Sequence, residues 1–221
     1  PLYNVRNYDV TITANSEKQG KVSFKEVYEM VQMNRLETQF YLTKMAITNR
    51  VTNSIFSYRT NNPKTMDSAR DGCLEFDEIH QFESSDLVDI QRSGLGKIKN
   101  PRTFYNGTNG HVREGFYDKI LERAQKIFSG ENKNDRLFPF ICKIDTIDEM
   151  DNPKMWSKAN PMFEEDTSYS RRLFSTVKKE YDKLQEEPSG RREFVVKRMN
   201  FTEGDSEKDV TTHEKLMATN Q

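Results

Sequence analysis

Short strand-like runs alternate with helical stripes through most of the chain, and that alternation restricts it to few architectures. Val10, Ile12 and Ala14 alternate with polar residues, the period-two pattern of a half-buried strand. A helix follows at once, because Ser16 can cap it and Gln19 can reach back to the cap amide; Phe24, Val27, Tyr28 and Val31 then recur at helical spacing. Ile55, Phe56 and Tyr58 form a second strand closed by Asn61-Asn62-Pro63, and Cys73 to Phe76 a third. Thr103 to Tyr105 is a fourth, ending in the Gly107 to Gly110 turn. From Arg113 to Phe128 the residues Phe116, Tyr117, Ile120, Leu121, Ala124, Ile127 and Phe128 make an apolar stripe, and Ser129-Gly130 stops the helix. Leu137 to Ile144 reads as a buried strand in which Pro139 demands an edge position or a later start. Strands and helices in this order predict an α/β fold with an open, mostly parallel sheet.

Size and composition set the outer limits. The chain has 221 residues, 34% of them hydrophobic, enough for one sizeable core and a smaller lobe. Charged residues reach 31% yet nearly cancel to a net charge of -1, so any basic surface has to be local. The two cysteines, Cys73 and Cys142, lie far apart outside any C-x-x-C pattern, which disfavours a disulfide scaffold or a thiolate metal site and fits a reducing cytoplasm. No apolar run approaches the ~20 residues of a membrane span, and no signal-peptide pattern opens the chain. The chain starts at Pro1 rather than Met and is expected to be a fragment. An acidic loop from Asp145 to Asp151 marks the boundary of a core at residues 1–150. Leu173, Phe174, Val177, Tyr181 and Leu184 trace one face of a helix, Pro188-Ser189-Gly190 ends it, and a short helix from Arg191 to Met199 completes a helical lobe at 151–200. Residues 201–221, with Gly204-Asp205-Ser206, resemble a linker.

The chemically informative cluster is Leu74-Glu75-Phe76-Asp77-Glu78-Ile79-His80. In nucleotide-hydrolysing motors an apolar strand ends in Asp-Glu because one carboxylate holds the Mg²⁺ hydration shell and the next polarises the attacking water. The competing reading is a solvated strand end, and Glu75 is foreign to an apolar central strand. Downstream, the Thr108-Asn109-Gly110 turn could sense a terminal phosphate, its glycine allowing close backbone approach; an ordinary turn is the alternative. From Ile90 to Arg113 no residue is acidic, while Arg92, Lys97, Lys99, Arg102 and Arg113 are basic, a footprint for a polyanion or a plain solvated loop. Ser93-Gly94-Leu95-Gly96-Lys97 lacks the spacing of a phosphate loop, and no other segment has it. His80, His111 and His213 are scattered without zinc-ligand spacing and read as surface or satisfied structural histidines. Trp156 reads as an aromatic anchor in a turn.

Taken in order, these segments resemble the large-terminase family of tailed phages and prophages. Thr13 to Gly20 resembles the family's strand-to-helix segment after its phosphate loop, Phe76 to His80 its Walker B "DE-x-H", and Thr108-Asn109-Gly110 its T-x-G coupling motif. Trp156-Ser157-Lys158-Ala159-Asn160-Pro161 matches a W-x-K-A-N-P signature, and Phe194 to Asn200 an F-x-x-K-x-x-N segment. The resemblance implies a P-loop ATPase sheet with a small helical linker lobe. It also implies ATP and Mg²⁺ as cofactors, Asp77 assisting Mg²⁺ through water, Glu78 activating water, and Thr108, Asn109 and Gly110 coupling hydrolysis to DNA movement. Arg92, Lys97, Lys99 and Arg102 are the candidate DNA contacts. Double-stranded DNA, the small terminase subunit, the portal protein and further copies of the chain at the portal are the implied partners, in the host cytoplasm and away from membranes. The family's Walker A loop and nuclease carboxylates have no counterpart in this sequence. Two other readings stay open: a non-catalytic nucleic-acid-binding or structural remnant of a defective prophage terminase, and a helicase-like ATPase, against which the A-N-P segment argues.

Overall fold

The computed structural model describes residues 5–60, 70–110, 115–184 and 186–202. The expected turn at Asn61 to Pro63, Arg113, His111, His213 and the linker with Gly204 to Ser206 lie outside them. The chain divides into two compact units, with the boundary between Phe138 and Pro139.

The first unit is built on a six-stranded sheet in the order β2-β3-β4-β1-β5-β6. Its strands are β1 (Asp9–Ala14), β2 (Phe40–Leu42), β3 (Ala46–Asn49), β4 (Ile55–Thr60), β5 (Asp71–Phe76) and β6 (Arg102–Tyr105). β4, β1, β5 and β6 run parallel, and the β2–β3 hairpin adds antiparallel to the outer side of β4. The expected mostly parallel α/β sheet is present. Helix α1 (Glu17–Met33) packs on one face, where Phe24 and Val31 cluster with Ile12, Ile47 and Tyr58. Helices α2 (Asp86–Gly94) and α3 (Phe116–Phe128) belong to the other, where Leu87, Val88, Phe116 and Tyr117 pack with Leu74 and Phe76. Helices on both faces leave the strand ends as the open rims of the sheet, where such folds place their ligands.

Local chemistry explains where these elements start. The Ser16 hydroxyl accepts from the Gln19 amide at 3.3 Å and so caps α1, as expected; the Gln19 side chain, instead of reaching back to the cap amide, donates to Gln81 Oε1 at 3.0 Å. Thr11 and Thr13 face the α2 side of β1 and are fully buried. Their hydroxyls reach Asp71 Oδ1 at 2.7 Å and Gln91 Oε1 at 2.9 Å, which removes the cost of burying them.

Two further expectations need correction. Leu137 to Ile144 is not a strand: Pro139 has no amide hydrogen to give a ladder, no described strand pairs with the segment, and Phe138 and Phe140 are 86% and 78% exposed. The apolar stripe of α3 does not extend to Phe128, which is 62% exposed past the point where the helix leaves the core, although Phe116, Tyr117 and Ala124 are buried as expected. The α2 helix and the β2–β3 hairpin went unrecognised in the sequence.

The second unit is helical, with α4 (Ser168–Lys183) and α5 (Arg191–Arg198) following a series of 3-10 turns. Trp156 is fully buried at its centre, its ring 5.6, 5.4 and 6.0 Å from those of Phe174, Tyr181 and Phe194. Its indole N–H donates to the Met150 carbonyl at 2.8 Å, satisfying the one polar atom the burial would strand. The rest of the signature braces this anchor. Lys158 pairs with Asp145 and Glu149, and the Asn160 amide donates to the carbonyls of Trp156 and Arg198 at 3.2 and 2.8 Å. Pro161 opens the next turn at its first position, where a missing N–H costs nothing.

Candidate active site at the C-terminal rim of the sheet

Asp77 and Glu78 directly follow β5, at the rim where β1 and β6 also end. Backbone bonds fix the turn on both sides. The Asp77 amide donates to the Thr13 carbonyl at 2.9 Å, the Asn106 amide to the Phe76 carbonyl at 2.9 Å, and the Ile79 amide to the Asn106 carbonyl at 3.0 Å. Three chain segments therefore meet there: the start of α1, residues 77–81 and residues 106–110. From α1, Ser23 donates its hydroxyl to Asp77 Oδ2 at 3.0 Å, while Gln19 holds Gln81. Asp77 Oδ1 has no hydrogen bond among the described residues.

Glu78 sits at φ 54° and ψ 47°, the left-handed region that a side chain with a Cβ rarely occupies. Such conformations persist where the surroundings dictate them, and they concentrate at functional sites. Here the flanking bonds to Thr13 and Asn106 impose it. The turn also brings Glu78 Oε2 to 3.2 Å from His80 Nδ1. That pair is near enough for a hydrogen bond but not aligned for one, and Nδ1 has no hydrogen-bond partner in the structure. His80 is thus neither a surface nor a satisfied histidine: its side chain is 16% exposed with an unsatisfied nitrogen.

Glu75, anomalous for an apolar strand, points to the face opposite Leu74 and Phe76 and is only half buried. Asn106 donates to its Oε1 at 2.8 Å. Burial first, then the neighbouring Asp77 charge, raise the Glu75 carboxyl above its ordinary value, against the lowering effect of the Asn106 bond. Burial likewise pushes the Cys73 thiol up, so it offers no thiolate. Among the described residues no group of three or more His, Cys, Asp or Glu side chains could hold a metal ion.

The 106–110 loop lies against this turn. A Cβ on Gly110 would come within 2.9 Å of His80 Cβ and Cγ, and one on Gly107 within 3.2 Å of the Ile79 amide nitrogen. Thr108 is exposed, whereas Asn109 and Gly110 are buried. The loop that carries the coupling candidates therefore packs on Ile79 and His80, next to Asp77 and Glu78, through Gly107 and Gly110; Lys97, Lys99 and Arg102 lie elsewhere. Lys97, Lys99 and Arg102 lead into β6 at the opposite rim, since Arg102 is in register with Cys73 while Tyr105 is in register with Phe76. There the Tyr8 hydroxyl, just ahead of β1, donates to the Asn100 carbonyl at 2.9 Å. Arg92 stands in the last turn of α2, and all four cations are exposed.

A family model of the terminase large subunit ATPase domain matches residues 3–126, more than half of the chain. The chain belongs to the terminase large subunit family, through its ATPase domain. The terminase large subunit of Lactococcus phage p2 is 24% identical over 162 residues, covering 73% of this chain and 29% of that protein. Protein YmfN of Escherichia coli K12 is 31% identical over 96 residues, covering 43% and 21%. The crystal structure of the HK97 bacteriophage large terminase shares the fold with a TM-score of 0.74 at 18% identity, over 89% of this chain and 40% of that one. This terminase chain thus spans less than a third of the length of the curated relatives it matches. None of its described helices is long and apolar enough to cross a membrane.

Proposed function

We propose that this chain supplies the acidic strand end and the coupling loop of a phage DNA-packaging ATPase, which hydrolyses ATP to drive double-stranded DNA into a prohead. The observation that carries the reading is the position of Asp77 and Glu78. They stand at the C-terminal rim of a parallel sheet, against the 106–110 loop, in a chain of the terminase ATPase family. In this reading Glu78 orients and polarises the attacking water, from a left-handed backbone turn that directly follows the strand. Asp77 fits a water-mediated role toward Mg²⁺, because Ser23 holds Oδ2 and leaves Oδ1 available, and that cation needs only one or two protein carboxylates beside the nucleotide. Mg²⁺, when bound with ATP, neutralises phosphate charge. Thr108, Asn109 and Gly110 then convey the state of the site to the rest of the motor. Arg92, Lys97, Lys99 and Arg102 face DNA phosphates, the last three from a rim separate from the hydrolytic one.

By this proposal a phosphate-binding loop and a nuclease are supplied by parts of the large subunit outside this sequence. The small subunit, the portal and further copies of the chain are its partners in the host cytoplasm. The test is phosphate release from the complete large subunit beside residues 1–221 alone. Turnover is expected from the first and not the second, because loop amides, lysine and metal ligand provide most of the charge neutralisation in phosphoryl transfer. An inactive complete protein would instead favour the non-catalytic remnant.

A further inference from the structure

We infer that His80 is a positioning residue: its imidazole holds the Glu78 carboxylate through Nδ1, and the 107–110 loop sets the ring's place. This rests on the reading of Glu78 as the water-activating group. A carboxylate only accepts hydrogen bonds, so attraction across the 3.2 Å gap between Glu78 Oε2 and His80 Nδ1 requires the hydrogen on Nδ1. The side chain is 16% exposed, and among the described residues Nδ1 is the buried side-chain nitrogen or oxygen left without a hydrogen bond. A nitrogen so placed has a strong reason to take the Glu78 carboxylate as acceptor once its oxygen turns toward it.

What keeps the two from aligning is where the ring is seated. Gly110 packs so closely on it that a Cβ there would overlap Cβ, Cγ and Cδ2, and a Cβ on Gly107 would lie 3.5 Å from Nδ1. The Glu78 backbone has little freedom of its own, since its left-handed turn is bracketed by the bonds of Asp77 to Thr13 and Ile79 to Asn106. A shift of the loop therefore moves the ring before it moves the carboxylate's backbone. The contact is a mechanical link by which residues 107–110 align or release Glu78, and it gives Gly110 a steric role at that position.

The experiment has two arms. In the first, ¹⁵N-histidine spectra of the 221-residue chain are recorded at about pH 8.5, where an imidazole is ordinarily neutral. The chain has three histidines, so the His80 signals are assigned by their loss in His80→Asn. The expected result is a hydrogen on Nδ1 that moves to Nε2 in Glu78→Ala; an Nε2–H form in the unaltered chain overturns the inference, whatever the ATPase activity. In the second, His80→Ala in the complete large subunit is expected to lower kcat about tenfold or more while the KM for ATP changes less than about twofold. His80→Asn, whose amide can place an N–H near the position of Nδ1, is expected to recover much of that loss. Gly110→Ala should lower kcat in the unaltered background and have little further effect beside His80→Ala, because both act through the same ring. Unchanged kcat in His80→Ala, or a Gly110→Ala penalty equally large with and without the imidazole, overturns it. A complete protein without any turnover would sink the proposed function instead, and the spectra would still decide the contact.

Discussion

At the start of β5 the Asp71 carboxylate is 4% exposed, takes two guanidinium hydrogen bonds from Arg59 and a third from the Thr11 hydroxyl. Just past the end of the same strand, Glu78 is 40% exposed, in a left-handed backbone, with a misaligned imidazole beside it. A buried carboxylate with both oxygens engaged is bound into the fold and has little left for a substrate. A carboxylate held by its backbone, with only an unaligned imidazole at one oxygen, is placed without being used up. The contrast extends to the rims themselves. The rim with Asp71 carries the exposed cations that lead into β6, while the rim with Glu78 carries Asp77 and half-buried Glu75 against the glycine loop.

The sharpest way to break this comparison is to exchange what each carboxylate is good for. Asp71→Ala is expected to destabilise the first unit by about 3 kcal/mol, since it leaves a largely buried guanidinium and the Thr11 hydroxyl unpaired. Denaturant unfolding measures this, and a loss below 1 kcal/mol would mean the pair is not structural. Glu78→Gln in the complete protein should leave stability and ATP binding nearly intact and slow hydrolysis by roughly 10²-fold, about 2.7 kcal/mol in the barrier. Undiminished phosphate release would show that the chemistry has been assigned to the wrong end of the strand. Replacing both Lys97 and Lys99 by Ala should reduce the slope of log affinity for DNA against log salt by about 1.8, so that between about 50 and 200 mM salt the variant loses about tenfold less affinity. If slope and affinity are unchanged, the cations of that rim are only solvated.

The smallest effect concerns Glu75 and its pH dependence. Its carboxyl is raised in the folded state from an ordinary value of 4.5, so the folded chain binds the proton more readily than the unfolded one. That advantage is complete below about 4.5 and is lost as pH rises through the raised value, leaving an ionised group that costs stability at neutral pH. Glu75→Gln keeps an acceptor for Asn106 and removes the charge. It should raise the thermal midpoint at pH 7 and leave it unchanged below about pH 4; a gain at all pH values would point to packing instead of ionisation.

The site was legible in the sequence where it is local. Asp77 and Glu78 could be placed at a strand end because Leu74 to Phe76 precede them, and the Gly107 to Gly110 turn declared itself by composition. The His80 contact was not legible, because nothing in a lone histidine reports a glycine 30 residues on pressing against its ring. The stretch from Trp156 to Pro161 holds the second unit together: an indole, a lysine between two carboxylates and an asparagine bridging carbonyls. These contacts are packing, which only a structure displays.

By itself the sequence determined which segments are strands and helices wherever period and capping agree, as in β1, the start of α1, α3 and α5. Those signals act within a turn or two of chain, so they survive without knowledge of neighbours. Partner choice was decided only by the tertiary structure. Thr11 meets Asp71 across 60 residues and Thr13 meets Gln91 across 78, and Lys97, Lys99 and Arg102 are separated from the acidic strand end by the direction of β6, which runs parallel to β5. Leu137 to Ile144 failed for the same reason: an apolar run becomes a strand only where a neighbouring backbone offers its hydrogen bonds, and no described strand offers them here.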